Sequence, residues 1–384
     1  MNSISPCIEA TDAILEIGGE TLNVCMQCGT CTSVCPWNLV KEFSPRNLIK
    51  YVSLGLEGIE GDDLWNCVTC NSCVLRCPRN VNLIDVIRST RALMVQMDSV
   101  PSAFSGPLGC LHSDGNPWMG HRSERADWQE GLQIPEFSAD THWLYFTCCT
   151  QAYDARNRRV ARMLVGLLDR AGVSFGSLGE KESCCGDQGS KMGGHDTYGE
   201  LKSANTELFE ENNVKNVIVA SPHCLNSFTK EYGAFSESVN VLHHAVLLSR
   251  LLDEGRIVPS RRIEKKVTYH DPCYLGRHNN IYDEPRAVLT AIPGLELIEM
   301  PRNRDRSLCC GGGGGGMWRE VPMDERFAIH RIKEAQAAGA ETIATACPYC
   351  IAMLEDAIKV LDCEDQIEVC DICELLYEST GEDD

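Results

Sequence analysis

Thr342-Ile-Ala-Thr-Ala-Cys347-Pro-Tyr-Cys350 joins a short apolar run to a cysteine pair. Asn216-Val-Ile-Val-Ala-Ser221-Pro-His-Cys224 states the same pattern 126 residues earlier. Working outward, Cys309-Cys310-Gly311 answers Cys184-Cys185-Gly186 at an offset of 125, and Cys273 answers Cys149 at 124. Register this steady at every cysteine marks a duplicated domain.

Each copy predicts strands alternating with helices. In the first, Trp143–Phe146 reads as a strand ending at Cys148-Cys149. Asp154 is placed to cap a helix carrying Val160, Met163, Leu164, Leu167, Leu168 and Ala171, which Gly172 stops. Strands at 173–178 and 214–220 and a helix around 200–211 complete the copy. The second predicts strands at 267–269, 295–300 and 342–346 and helices near 285–291, 326–338 and 351–361. Such alternation implies parallel sheets, with the cysteines collected at the carboxyl ends of strands, where open α/β sheets bind ligands.

Upstream stand Cys25-x2-Cys28-x2-Cys31-x3-Cys35-Pro36 and Cys67-x2-Cys70-x2-Cys73-x3-Cys77-Pro78. Three thiolates two residues apart wrap three irons of a cubane, and the fourth reaches the other cluster. The spacing predicts one [4Fe–4S] cluster on Cys25, Cys28, Cys31 and Cys77 and another on Cys67, Cys70, Cys73 and Cys35. Structural zinc prefers two paired knuckles to four ligands packed into one such run.

The chain has 384 residues, 23 of them cysteine, and 35 Lys plus Arg against 55 Asp plus Glu, a formal charge of −20. That balance argues against nucleic-acid binding, which needs cations for phosphates. The acid concentrates at the end: residues 351–384 hold twelve Asp/Glu and one Lys, and read as a solvated face. The best apolar run, 241–252, is too short to span a bilayer and carries His243, His244 and Arg250. The first basic residue is Lys41, so no secretory signal is expected and a cytoplasmic chain is. Clustered cysteines in that compartment read as metal or redox sites. Four blocks follow: 1–100, a two-cluster domain; 101–142, rich in Gly and Pro, a long irregular connector; 143–262, the first copy; and 263–384, the second copy with the acidic segment.

Five cysteines in the second copy are one more than a cubane needs. With His270-Asp-Pro-Cys273, Cys309-Cys310 and its glycine run, and Ala346-Cys-Pro-Tyr-Cys350, the chain resembles heterodisulfide reductases of the D type: a ferredoxin unit fused to two cysteine-rich CCG domains. It is also similar to iron–sulfur subunits of anaerobic glycerol-3-phosphate dehydrogenase, of glycolate oxidation and of class II benzoyl-CoA reductase complexes. The resemblance implies an α+β multidomain fold, mainly helical in the ferredoxin domain and α/β in the CCG repeats. It implies a non-cubane [4Fe–4S] cluster on Cys273, Cys309, Cys310, Cys347 and Cys350 as the reactive centre. Its partner would be a flavoprotein, either the A-type component of such reductases or an electron-transferring flavoprotein, within a larger reductase complex. No nucleotide fingerprint follows a strand, so no flavin of its own is expected.

The first copy departs from that pattern at Ser221 and reads as degenerate. Cys149, Cys184, Cys185 and Cys224 remain, for either a cubane or a modified cluster. Cys148 or Cys149 is the ligand; Cys149 keeps the offset and is preferred. The glycines at 311–316, Gly311 and Gly312 foremost, read as bare backbone approaching a cluster or substrate. His223 and His270 border ligand cysteines. His243 and His244 read as structural, Cys370 and Cys373 as buried thiols on one helix face, and Cys7, Cys110 and Cys363 as plain thiols. Two function classes remain: an electron-transferring subunit, and a reductase cleaving a small-molecule disulfide at the five-cysteine site.

Overall fold

A computed structural model describes residues 6–138 and 140–381. The first five residues of the 1–100 block, and Glu382, Asp383 and Asp384 of the acidic segment, lie outside the described residues.

The first sheet comprises β1 (Trp143–Phe146), β2 (Phe175–Gly176), β3 (Asn216–Val219) and β4 (Asn240–His243) in the order β2-β1-β3-β4. The second comprises β5 (Lys266–Tyr269), β6 (Glu296–Leu297), β7 (Thr342–Thr345) and β8 (Glu368–Asp371) in the order β6-β5-β7-β8. Every pairing is parallel, with Tyr145 opposite Ile218 and Thr268 opposite Ile343. The inner strands are buried almost throughout, which explains their unbroken apolar runs. In each sheet the chain leaves the two central strands toward opposite edges. Their carboxyl ends form the crevice where such sheets hold ligands, and the cysteines stand there.

The helix Ala155–Arg170 shows why these connections form. Asp154 accepts the Asn157 N–H at 2.9 Å, the buried stripe includes Val160, Leu164, Leu167 and Leu168, and Gly172 at φ +61 turns the chain back. The two copies lock together beside it. Arg156 reaches Glu355 at 2.5 Å and Glu374 at 2.8 Å, and His244 Nε2 meets Asp371 Oδ1 at 2.9 Å.

The N-terminal unit is helical, led by Pro45–Leu54 and Leu83–Gln96, capped by Ser44 and Asn82. Arg91 lies fully buried in the second helix and donates to the carbonyls of Leu64, Cys67, Lys191 and Gly314. One guanidinium thus pins the second cysteine motif to both copies of the repeat.

Several local expectations are corrected. The 101–142 stretch is not irregular throughout: Ser102–Asp114 is α-helical and Arg122–Gln129 a 3-10 helix. Phe104, Pro107 and Leu111 are buried, and that packing overrides the Gly and Pro content. The strands expected at 173–178 and 295–300 shrink to two residues each at the sheet edges. The apolar run 241–252 divides, His243 ending β4 and His244 opening the helix His244–Asp253. Cys370 and Cys373 share no helix face: one sits in β8, the other in Ile372–Ser379, both buried.

Candidate functional site

The two upstream motifs turn alike. Left-handed residues fall between the first three cysteines of each, Gln27 and Gly29 in one, Thr69 and Asn71 in the other. These tighten the chain so that successive thiols face one centre. Cys25, Cys28 and Cys31 lie together, Cys28 exposed with its thiol lowered in pKa by the Thr30 hydroxyl at 3.3 Å. Cys77 Sγ accepts the Val81 N–H at 3.3 Å. Cys35 crosses to the second motif. With Cys67, Cys70 and Cys73 it walls a small enclosed cavity among Phe43 and Ile87.

In the second copy the sulfurs form a chain. Cys273 lies 4.0 Å from Cys309, Cys309 is beside Cys310, Cys310 is 3.4 Å from Cys350, and Cys350 is beside Cys347. The Gly311 N–H donates to Cys309 Sγ at 3.4 Å. Arg331 donates to His270 Nδ1 at 3.1 Å, which leaves the other ring nitrogen carrying the proton and facing Cys310. Burial lowers the His270 pKa, which favours the neutral ring.

The first copy repeats this chain as Cys149, Cys184, Cys185, Cys224 and then Cys148. The Gly186 N–H donates to Cys184 Sγ at 3.4 Å, as its counterpart does. Buried Arg125, from the stretch read as a connector, reaches Cys149 Sγ at 3.3 Å, the Thr147 carbonyl at 2.7 Å and Glu182 at 3.4 Å. Burial opposes ionisation of Cys149, but Cys184 and the Arg125 cation hold its pKa below the ordinary thiol value.

The sites interlock through the residue between proline and cysteine. His223 faces Cys347, and its Nδ1 lies 2.7 Å from Asp187. Burial opposes its charge, but Asp187 and Cys347 raise its pKa well above the ordinary histidine value. Tyr349 in turn lies near Cys184, Cys148 and Cys149, and its ring is 4.7 Å from that of His223.

The second upstream motif docks on the second copy. Cys70 and Cys309 are sulfur neighbours, and Arg277 donates to the Cys70 carbonyl at 2.6 Å. The bare backbone of the glycine run approaches this motif: a Cβ on Gly313 would stand 2.5 Å from the Val68 carbonyl, and one on Gly314 2.5 Å from that of Cys67. Gly312 lies beside Cys310. A cleft of about 570 Å³, walled by Trp37, Trp118, Trp318 and Met353, has Cys310 and Gly311 in its lining. Arg91, Arg125 and Arg277 carry no signal in the sequence, since their partners are far along the chain. The donor sets suit iron–sulfur clusters: rich in sulfur and mostly buried, with the Gly311 and Gly186 N–H groups aimed at sulfurs and a His270 ring nitrogen within 4.8 Å of the Cys310 and Cys350 sulfurs.

Among the described residues no helix is long and apolar enough to cross a membrane. A cysteine-rich domain family, CCG, matches residues 143–229 and 267–355, and a 4Fe-4S dicluster domain matches 21–81. The chain is 35% identical over 84% of its length to the probable iron-sulfur-binding oxidoreductase FadF of Bacillus subtilis. It is 31% identical over 85% of its length to the EtfAB:quinone oxidoreductase of Syntrophomonas wolfei. It spans about half of these two relatives, 47% and 48%. With the D-type component of the dihydromethanophenazine:CoB--CoM heterodisulfide reductase of Methanosarcina barkeri it shares 30% identity over 94% of both chains. Two cysteine-rich repeats behind a dicluster ferredoxin unit, an order matched by that component over 94% of its length, place the chain in the CCG-domain family of iron–sulfur oxidoreductases that includes the D-type heterodisulfide reductases.

Proposed function

We propose that the chain is an electron-transferring subunit, carrying electrons between a flavoprotein and a larger reductase complex. Bound at these cysteines, iron–sulfur clusters supply one-electron redox centres. Cys25, Cys28, Cys31 and Cys77 would hold one cubane and Cys67, Cys70, Cys73 and Cys35 the other. Cys273, Cys309, Cys310, Cys347 and Cys350 would hold a non-cubane cluster, and the first copy a further one.

The observation that carries the reading is the contact of Cys70 with Cys309, which brings a ligand of the buried ferredoxin site against a ligand of the five-cysteine site. His223 and Tyr349 extend that continuity to the first copy. The entry side is the 25–35 motif, where Cys28 is exposed and Val24 and Met26, on either side of Cys25, are each at least 43% exposed. An apolar rim around a near-surface centre suits brief docking of a flavoprotein. The relative named for EtfAB supports an electron-transferring flavoprotein as donor.

The test uses the full chain, prepared anaerobically and mixed with electron-transferring flavoprotein in its hydroquinone form. Reoxidation of the flavin with matching bleaching of the iron–sulfur absorbance is expected. Colourless protein free of acid-labile sulfide overturns the reading. The cleft at Cys310 favours a second one, reduction of a small-molecule disulfide. A disulfide-dependent spectral change without flavin reoxidation would select it.

A further inference from the structure

Ser221 removes one thiol from the first copy, since it stands where Cys347 stands in the second. Cys148 adds one, since the residue aligned with it is Pro272. The loss and the gain meet at one place. The second copy's sulfurs run Cys273, Cys309, Cys310, Cys350, Cys347. The first copy's run Cys149, Cys184, Cys185, Cys224, Cys148. Four positions correspond by alignment, and Cys148 fills the end that Cys347 fills in its partner.

We propose that Cys148 is the fifth thiolate of the first site, supplying from the end of β1 the sulfur that Ser221 does not supply from the end of β3. The proposal rests on the reading of both copies as iron–sulfur sites. Cys148 and Cys149 are adjacent and buried, yet they serve opposite ends of the row, Cys149 beside Cys184 and Cys148 beside Cys224. Tyr349 lies near both. A buried thiol that merely filled space would be expected among apolar side chains rather than against a ligand sulfur. Cys148 binds as its thiolate, releasing its proton to solvent. The serine hydroxyl holds its proton at neutral pH and leaves its place open. The first copy is then not degenerate but rewired, and both copies present five thiolates.

The test compares full-length, 57Fe-labelled, anaerobically prepared chains by Mössbauer and paramagnetic resonance spectroscopy, with iron and acid-labile sulfide counted in each. In Cys148→Ala the non-cubane signature falls by about half relative to the ferredoxin-type signals, because one of two such sites is lost. Adding Ser221→Cys restores it, while Cys363→Ala, a remote buried thiol, changes nothing. An unchanged spectrum in Cys148→Ala, with full sulfide content, overturns the inference and leaves the iron–sulfur reading intact. Wild-type chain devoid of sulfide overturns that reading instead. Should Cys148→Ala prove insoluble, Cys148→Ala/Ser221→Cys decides: signal regained supports the inference, folded protein lacking it overturns it.

Discussion

The 25–35 and 67–77 stretches share cysteine spacing, a proline after the fourth cysteine and left-handed residues at matching places, yet they live in different surroundings. The first lies at the surface with Cys28 exposed. The second is wedged beneath the glycine run, clamped by Arg91 and Arg277, with Cys70 against Cys309. Spacing sets what a turn can hold, because ligands of one cluster must converge locally. Docking sets what the turn communicates with, and docking is written in distant residues.

Breaking the docking should therefore harm one motif and spare the other. Arg91→Ala leaves carbonyls from three parts of the chain buried without their donor. A loss of about 3–5 kcal/mol is expected in denaturant unfolding. The matched change at the exposed motif is Arg79→Ala, which removes one 3.4 Å hydrogen bond to the Val24 carbonyl. It should cost no more than about 0.5 kcal/mol. Equal losses would mean that the buried motif is not specially clamped.

Glycine substitutions sharpen the same contrast at smaller amplitude. Gly314→Ala puts a Cβ 2.5 Å from the Cys67 carbonyl at φ +59, so backbone must move. About 2–3 kcal/mol is expected in thermal or denaturant unfolding. Gly29→Ala meets nothing nearer than 3.8 Å and bears only the left-handed penalty at φ +83, about 1 kcal/mol. Paired melting curves of the two variants check the difference.

What the sequence makes legible follows the same division. The duplicated offsets locate β1, β3, β5 and β7 and gather their cysteines, because a cysteine follows within two to five residues of each strand end. The glycine run is backbone in close approach, as its composition suggests, and Gly313 and Gly314 approach the Val68 and Cys67 carbonyls of the second ferredoxin motif. Arg125 is hidden in a stretch whose Gly and Pro content points to irregular chain, and its value lies in reaching Cys149 across 24 residues. Cys148 looks like a spare beside Cys149 because alignment registers position, whereas its nearness to Cys224 comes from packing. Buried cations satisfied by remote carbonyls leave no periodicity to read.

The mildest probe of the contrast is acid. His278 Nε2 donates to the Thr69 carbonyl at 2.9 Å, inside the buried motif, and its ring stacks on Tyr274 at 4.0 Å. Burial pushes its pKa down to about 3, whereas the unfolded chain takes up the proton near the ordinary 6.5. The neutral ring's contribution is therefore complete above that pH and declines as the pH falls below it, because only the unfolded state gains the proton. Between pH 6.5 and 5.5 the loss is about 1 kcal/mol. His278→Asn should flatten stability over that interval. Among the described residues no histidine hydrogen-bonds the 25–35 motif, so the exposed one has no equivalent group. Hydrogen exchange separates them: on acidification, once the intrinsic pH dependence of exchange is removed, protection should fall at 67–73 and hold at 25–35. Loss at both would show that acid loosens the ferredoxin unit as a whole, and that His278 is not what ties the buried motif to its neighbour.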